Sequence, residues 1–114
     1  MASTDLSDYK DLYVKTAKEY VVSLLENANR LTQNPQDKDA ISAIHMSSHS
    51  LKSQSQVMGY NEIANICLSI EKSSDDVLKG NSTFNDQAVS NIKKSVEELE
   101  EILKRVQDDT GVTA

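Results

Sequence analysis

Only two histidines occur in this 114-residue sequence, at positions 45 and 49, and the second stands one helical turn before Lys52. The stretch His49-Ser50-Leu51-Lys52-Ser53-Gln54-Ser55-Gln56-Val57-Met58-Gly59 pairs that histidine and lysine with apolar Leu51 and Met58, and closes on a glycine. A neutral imidazole is a nucleophile near physiological pH, because its unperturbed pKa is about 6.5. A carboxylate bonded to one ring nitrogen fixes the tautomer and leaves the other nitrogen free to attack. An ammonium one turn along the helix offsets negative charge on a group carried by that nitrogen. No other catalytic apparatus stands out: there is no phosphate-cradling Gly-rich loop, no metal-ligand cluster and no acid/base pair. His45 and His49 have a spacing that could hold a metal, but no cysteine or carboxylate completes such a site on their face.

The elements that must position these residues follow from composition and periodicity. A chain of 114 residues has the size of one small domain. With 38% hydrophobic and 4% aromatic residues, three glycines and one proline, it is too sparsely punctuated for a sheet and suits a few long helices. A net charge of -6 and scattered lysines argue against a nucleic-acid surface and against an anionic membrane surface. The single Cys67 forms no internal disulfide and fits a reducing setting. No apolar run approaches the length of a membrane span or resembles a signal peptide, so a cytoplasmic location is expected.

Four amphipathic segments can be read. After a frayed Met1–Thr4, the first is capped at Asp5 or Ser7 and carries Tyr13, Ala17, Tyr20, Val21, Leu24, Leu25, Ala28 and Leu31 on one face. It ends near Gln33, because Asn34 precedes Pro35. The second starts between Pro35 and Asp37, runs through Ala40, Ile44, Ser48, Leu51, Ser55 and Met58, and stops at Gly59. The third starts near Asn61, presents Ile63, Ile66, Cys67, Ile70, Val77 and Leu78, and ends at Lys79-Gly80-Asn81. The fourth runs from about Asn85 to Val106 through Val89, Ile92, Val96, Leu99 and Leu103, with Asp108–Ala114 as a loose tail. Short connections between such helices predict an all-α, antiparallel up-down four-helix bundle, with an N-terminal extension to the first helix and an ordered core over about residues 6–107.

Helical geometry then orients the reactive stretch. With Ile44 as the centre of the buried face, Ser48, Leu51, Ser55 and Met58 fall within roughly 40° of it. His49 lies about 140° away, Gln56 about 120°, His45 about 100° and Lys52 about 80°. These four form a polar stripe beside the core, with His49 accessible. On the third helix, Glu71 sits at the edge of the buried face, and Ala64 and Leu68 lie beyond it, nearer to solvent. If the second and third helices pack antiparallel, Glu71 can reach the flank bearing His49.

These residues resemble the histidine-containing phosphotransfer (HPt) family of two-component signalling systems, which includes the phosphoacceptor domain of chemotaxis histidine kinases. The family pattern is approximately His-x-Leu-Lys-Gly-Ser-Ser/Ala, then Gly, a Leu-rich segment and Leu-Glu. His49, Leu51, Lys52, Ser55, Met58 and Gly59 match its first part, and Ile63, Ala64, Cys67, Ile70 and Glu71 match its second, in register. The resemblance implies that His49 is the phosphorylated residue, that Lys52 lies close to the phosphoryl group, and that Glu71 holds the imidazole. It implies partners as well: a histidine kinase, and receiver domains that dock over the second and third helices and bring their own aspartate and Mg²⁺. This chain itself would bind no cofactor, would act as a monomeric phosphoryl carrier rather than an autonomous enzyme, and would offer His45, Ser53, Gln56, Gly59, Ala64 and Leu68 to the partner. Ser53 stands where the family has glycine, directly opposite the core, and Gln54 replaces another small residue. Two alternatives stay open: the first domain of a chemotaxis-type kinase, and a degenerate bundle that binds a partner without phosphotransfer.

Overall fold

The sequence punctuates itself into four helices, and a computed structural model describing residues 6–109 contains them: α1 Leu6–Gln33, α2 Lys38–Met58, α3 Asn61–Leu78 and α4 Asp86–Asp108. Each boundary has a local cause. Asp37 caps α2 by accepting a hydrogen bond from the Ala40 amide at 3.1 Å, and Asn85 caps α4 through the Ala88 amide at 2.8 Å. Pro35 therefore sits in the turn ahead of α2 and not in its first turn. Gly59 ends α2 in the left-handed region, φ 80°. Its amide bonds back to the Gln56 carbonyl while the Tyr60 amide reaches Ser55, a Schellman pair. Gly80, at φ 81°, repeats the arrangement after α3.

Some terminal expectations shift. Ser7 already lies within α1 and so is not its cap, while Asp5 and the segment Met1–Thr4 lie outside the described residues. Asp108 is helical rather than part of a tail, because the Asp109 amide still bonds to the Arg105 carbonyl. Backbone hydrogen bonding needs no buried side chain, so α4 outruns its apolar stripe. Residues 110–114 lie outside the described residues.

α1 packs on α2 and α4, and α3 packs on α2 and α4, with no diagonal pairing among the described residues. The cross-helix bonds give the directions. Arg30 pairs with Asp37, Ser47 with Ser23 and Tyr13 with Ser55, so α1 and α2 run antiparallel. Lys10 donates to the Asp109 carbonyl, which sets α4 antiparallel to α1. The result is the expected up-down bundle. Its long axis is 50 Å. The 28 residues of α1 alone span about 42 Å, the longest of the four helices.

The core is built from the expected faces: Leu24, Leu31, Ile44, Leu51, Ile63, Val96 and Leu99 are fully buried in one cluster. Val14, Ile41, Phe84 and Ile102 join it. Leu78 does not, and is exposed at the end of α3. Tyr13 and Ser55 share a buried hydrogen bond of 2.7 Å across α1 and α2, and the rings of Tyr13 and Tyr60 lie 5.0 Å apart. Burial pushes the Tyr13 phenol up to about 12, so it stays neutral and tethers α1 to the α2–α3 corner.

Candidate functional site

The tight corner at Gly59-Tyr60 folds α3 back along α2 and fixes their register. Residues equally distant from Tyr60 face each other: His49 meets Glu71 and His45 meets Asp75. This is the most extensively packed helix pair in the bundle. The antiparallel condition on which the Glu71 contact depended is met.

His49 Nδ1 lies 2.7 Å from Glu71 Oε2, and Lys52 Nζ lies 2.6 Å from Glu71 Oε1. One carboxylate thus holds both side chains, one on each oxygen. A carboxylate only accepts hydrogen bonds, so the proton between ring and carboxylate belongs to Nδ1. In a neutral ring Nε2 is then the nitrogen that carries the lone pair, on a side chain that is 56% exposed. Lys52 and Glu71 are far less exposed than the ring they flank. Partial burial alone would push the Glu71 carboxyl up. The hydrogen bonds and charges of Lys52 and His49 outweigh it and hold the carboxyl below its usual range, so it is ionised at neutral pH. Cys67, one turn before Glu71, is no competing nucleophile: it is fully buried, and burial with the Glu71 charge pushes its thiol up to about 12.

The remaining expected residues divide. His45 is half-buried, with Nε2 3.7 Å from Asp75, whose other oxygen pairs with Lys79 at 2.8 Å. Asp75 was not singled out from the sequence, although it stands one turn after Glu71 on the same flank. Gln56 and Gly59 are exposed. Ala64 is not: it is 4% exposed. The flank of α3 that turns Glu71 toward α2 also carries Ala64 and Cys67, and both are buried. Leu68 is half-buried rather than freely exposed. Ser53 is half-buried as well and does not point straight away from the bundle, because the extended α1 passes beside it. It lines a groove with Thr16 and Gln54. Among the described residues no three metal-ligating side chains converge, and no helix is long and apolar enough to cross a membrane.

Known proteins resemble this chain in sequence and in fold. The model of the Hpt domain family matches residues 8–109. The chain is 24% identical over 102 residues to the chemotaxis protein CheA of Halobacterium salinarum, covering 90% of this chain. It is 23% identical over 104 residues to CheA of Bacillus subtilis, covering 91%. It spans only 15% and 16% of the length of those two relatives. Among solved structures, the CheA phosphotransferase domain from Thermotoga maritima superposes with a TM-score of 0.83 at 22% identity, over 89% of this chain and 96% of that one. A protein with a redesigned hydrophobic core superposes with a TM-score of 0.79 at 20% identity, over the full length of both.

Proposed function

This chain belongs to the Hpt domain family, and from that premise we propose that it is a histidine phosphotransfer domain of a two-component relay, carrying the phosphoryl group on Nε2 of His49. The observation that carries the reading is the pairing of His49 Nδ1 with the ionised Glu71 on an exposed side chain, which in a neutral ring directs the free lone pair to Nε2. In transfer from a receiver, the Nε2 lone pair attacks phosphorus of an aspartyl phosphate, the N–P bond forms, and the P–O bond breaks to release the aspartate carboxylate. The ring keeps its Nδ1 proton, and the positive charge that develops on it faces the Glu71 carboxylate. Return transfer reverses these steps, with neutral imidazole as the leaving group. Lys52 rests on Glu71 Oε1 and has a flexible four-carbon stem that can move its ammonium to a phosphoryl oxygen. Positioning and charge stabilisation supply the rate, while Mg²⁺ and the acceptor aspartate belong to the receiver.

The length of the curated relatives favours a second reading, in which the domain is the phosphoacceptor segment of a longer chemotaxis-type kinase. Parallel incubations separate the two. Receivers phosphorylated with acetyl phosphate in the presence of Mg²⁺ are expected to place acid-labile label on this chain within minutes. Label arriving only from an ATP-loaded kinase domain would favour the second reading. No label from either source, with binding preserved, would leave a partner-binding bundle without phosphotransfer.

A further inference from the structure

The seam between α2 and α3 carries a second set of polar side chains, one turn from the first, and the transfer chemistry above makes no use of it. Its centre is His45, the other histidine of the chain. His45 Nε2 lies 3.7 Å from Asp75 Oδ1, beyond hydrogen-bond range, while Asp75 Oδ2 is held by Lys79 Nζ at 2.8 Å. The His45 side chain is 30% exposed, and its ring makes no hydrogen bond among the described residues. His49, by contrast, is held to Glu71 at 2.7 Å. The register that faces His49 to Glu71 also faces His45 to Asp75, so the two rings are successive rungs on one flank, about 6 Å apart along α2. Helical side chains lean toward the N-terminus of their own helix. The His49 ring therefore reaches back over the turn that carries His45, and a group carried on it is brought to that turn.

The charges on this flank leave a phosphoryl group under-compensated. Lys52 is closed on Glu71 at 2.6 Å and Lys79 on Asp75, so two cations and two carboxylates cancel. Lys72 and Asp76, both exposed on α3, cancel as well. On α2 no Asp, Glu, Lys or Arg occurs between Asp39 and Lys52. Among the described residues α1 joins α2 by one ion pair, Arg30 with Asp37, and α4 does not pack on α2. A phosphoryl group adds about two negative charges at neutral pH. Lys52 can turn to it only by uncovering Glu71, so the local sum stays negative. Histidine is the side chain whose ordinary titration falls between pH 5 and 8. Resting on the phosphotransfer reading, we infer that His45 is the second charge partner, beside Lys52, of the phosphoryl group on His49. It takes one proton from solvent as the group arrives, faces the group as imidazolium, and returns the proton when the group leaves. No covalent bond to carbon or phosphorus changes at His45. Asp75 keeps the ring on this flank, at a distance that lets it turn.

Phosphoramidate, a small donor that needs no partner protein, isolates the effect. The ring-proton shifts of His45, followed against pH by NMR in the unmodified chain and in the chain labelled on His49, should show its titration midpoint rising by about one pH unit with the phosphoryl group in place. Linkage is reciprocal, so protonated His45 favours the loaded state by the same factor. In exchange with a phosphorylated receiver, His45→Gln should therefore hold up to about tenfold less label than the wild type at pH below both midpoints, and equal label above both. His45→Lys, which keeps a cation throughout, should restore the label at low pH and hold it at high pH. A His45 midpoint that stays put or falls while His49 is labelled would overturn the proposal and leave the phosphotransfer reading standing; that measurement needs no variant. His45→Lys holding no more label than His45→Gln would also overturn it, since the residue would then be serving shape and not charge. A wild-type chain that takes label from neither donor would overturn the phosphotransfer reading and the role of His45 with it.

Discussion

His49→Gln is expected to reduce acid-labile phosphorylation to background while leaving helicity and the urea midpoint unchanged. Loss of chemistry without loss of fold follows from where the ring sits. The side chain is 56% exposed, and its recorded contact is with Glu71, whose second oxygen remains held by Lys52. Exposed substitutions of this kind usually shift stability by no more than about 0.5 kcal/mol. Glutamine keeps length and polarity but offers no nucleophilic nitrogen. The second histidine does not substitute for it. His45 is less exposed than His49, and its Nε2 lies 3.7 Å from an Asp75 oxygen. Labelling with phosphoreceiver and Mg²⁺, read alongside circular dichroism, checks both halves. Undiminished label on the variant would move the phosphoacceptor elsewhere.

Glu71→Gln should slow transfer on the order of 10²-fold without abolishing it, because it removes the charge that faces the ring as positive charge develops there. The amide can accept the Nδ1–H bond through its oxygen, but it can equally present its NH₂ group and select the other tautomer, which puts the proton on Nε2. It also leaves Lys52 without an anionic partner. A role confined to structure would not alter the tautomer, so nitrogen chemical shifts of the His49 ring are the decisive readout beside the rate: Nδ1 protonated in the wild type, a mixture in the variant. The pH dependence has a definite sign. The Glu71 carboxyl is held below its ordinary value in the folded protein. Its stabilising contribution is therefore fully present above the ordinary glutamate range and is lost as pH falls through the lowered folded value. Acid should release the ring and Lys52 together in the wild type, and that transition should vanish in Glu71→Gln.

Much of the frame was legible because its punctuation is chemical. Asn34-Pro35, Gly59, Gly80 and Asn85 each impose a local backbone state, and the helices start or stop beside them. The exposure of His49 was legible too, since a rotation of 100° per residue needs only one well-chosen buried reference. The errors share a cause. Periodicity finds the centre of an apolar stripe, whereas burial depends on how close the neighbouring helix comes. Ala64, small and at the stripe's edge, is buried, and apolar Leu78 is left exposed at the end of α3. Side-chain pairs such as Tyr13–Ser55 and His45–Asp75 join distant parts of the chain and depend on register, which the corner at Gly59 sets for α2 and α3 and the turn at 34–37 for α1 and α2.

The central claim concerns one nitrogen. The most direct test is long-range ¹H–¹⁵N NMR of the histidine side chains before and after phosphorylation, with phosphorus coupling recorded on the modified ring. Phosphorus bonded to Nε2 of His49, with Nδ1 still protonated and the His45 ring unmodified, is the predicted result. Phosphorus on Nδ1 of His49, on His45, or on no histidine would contradict it.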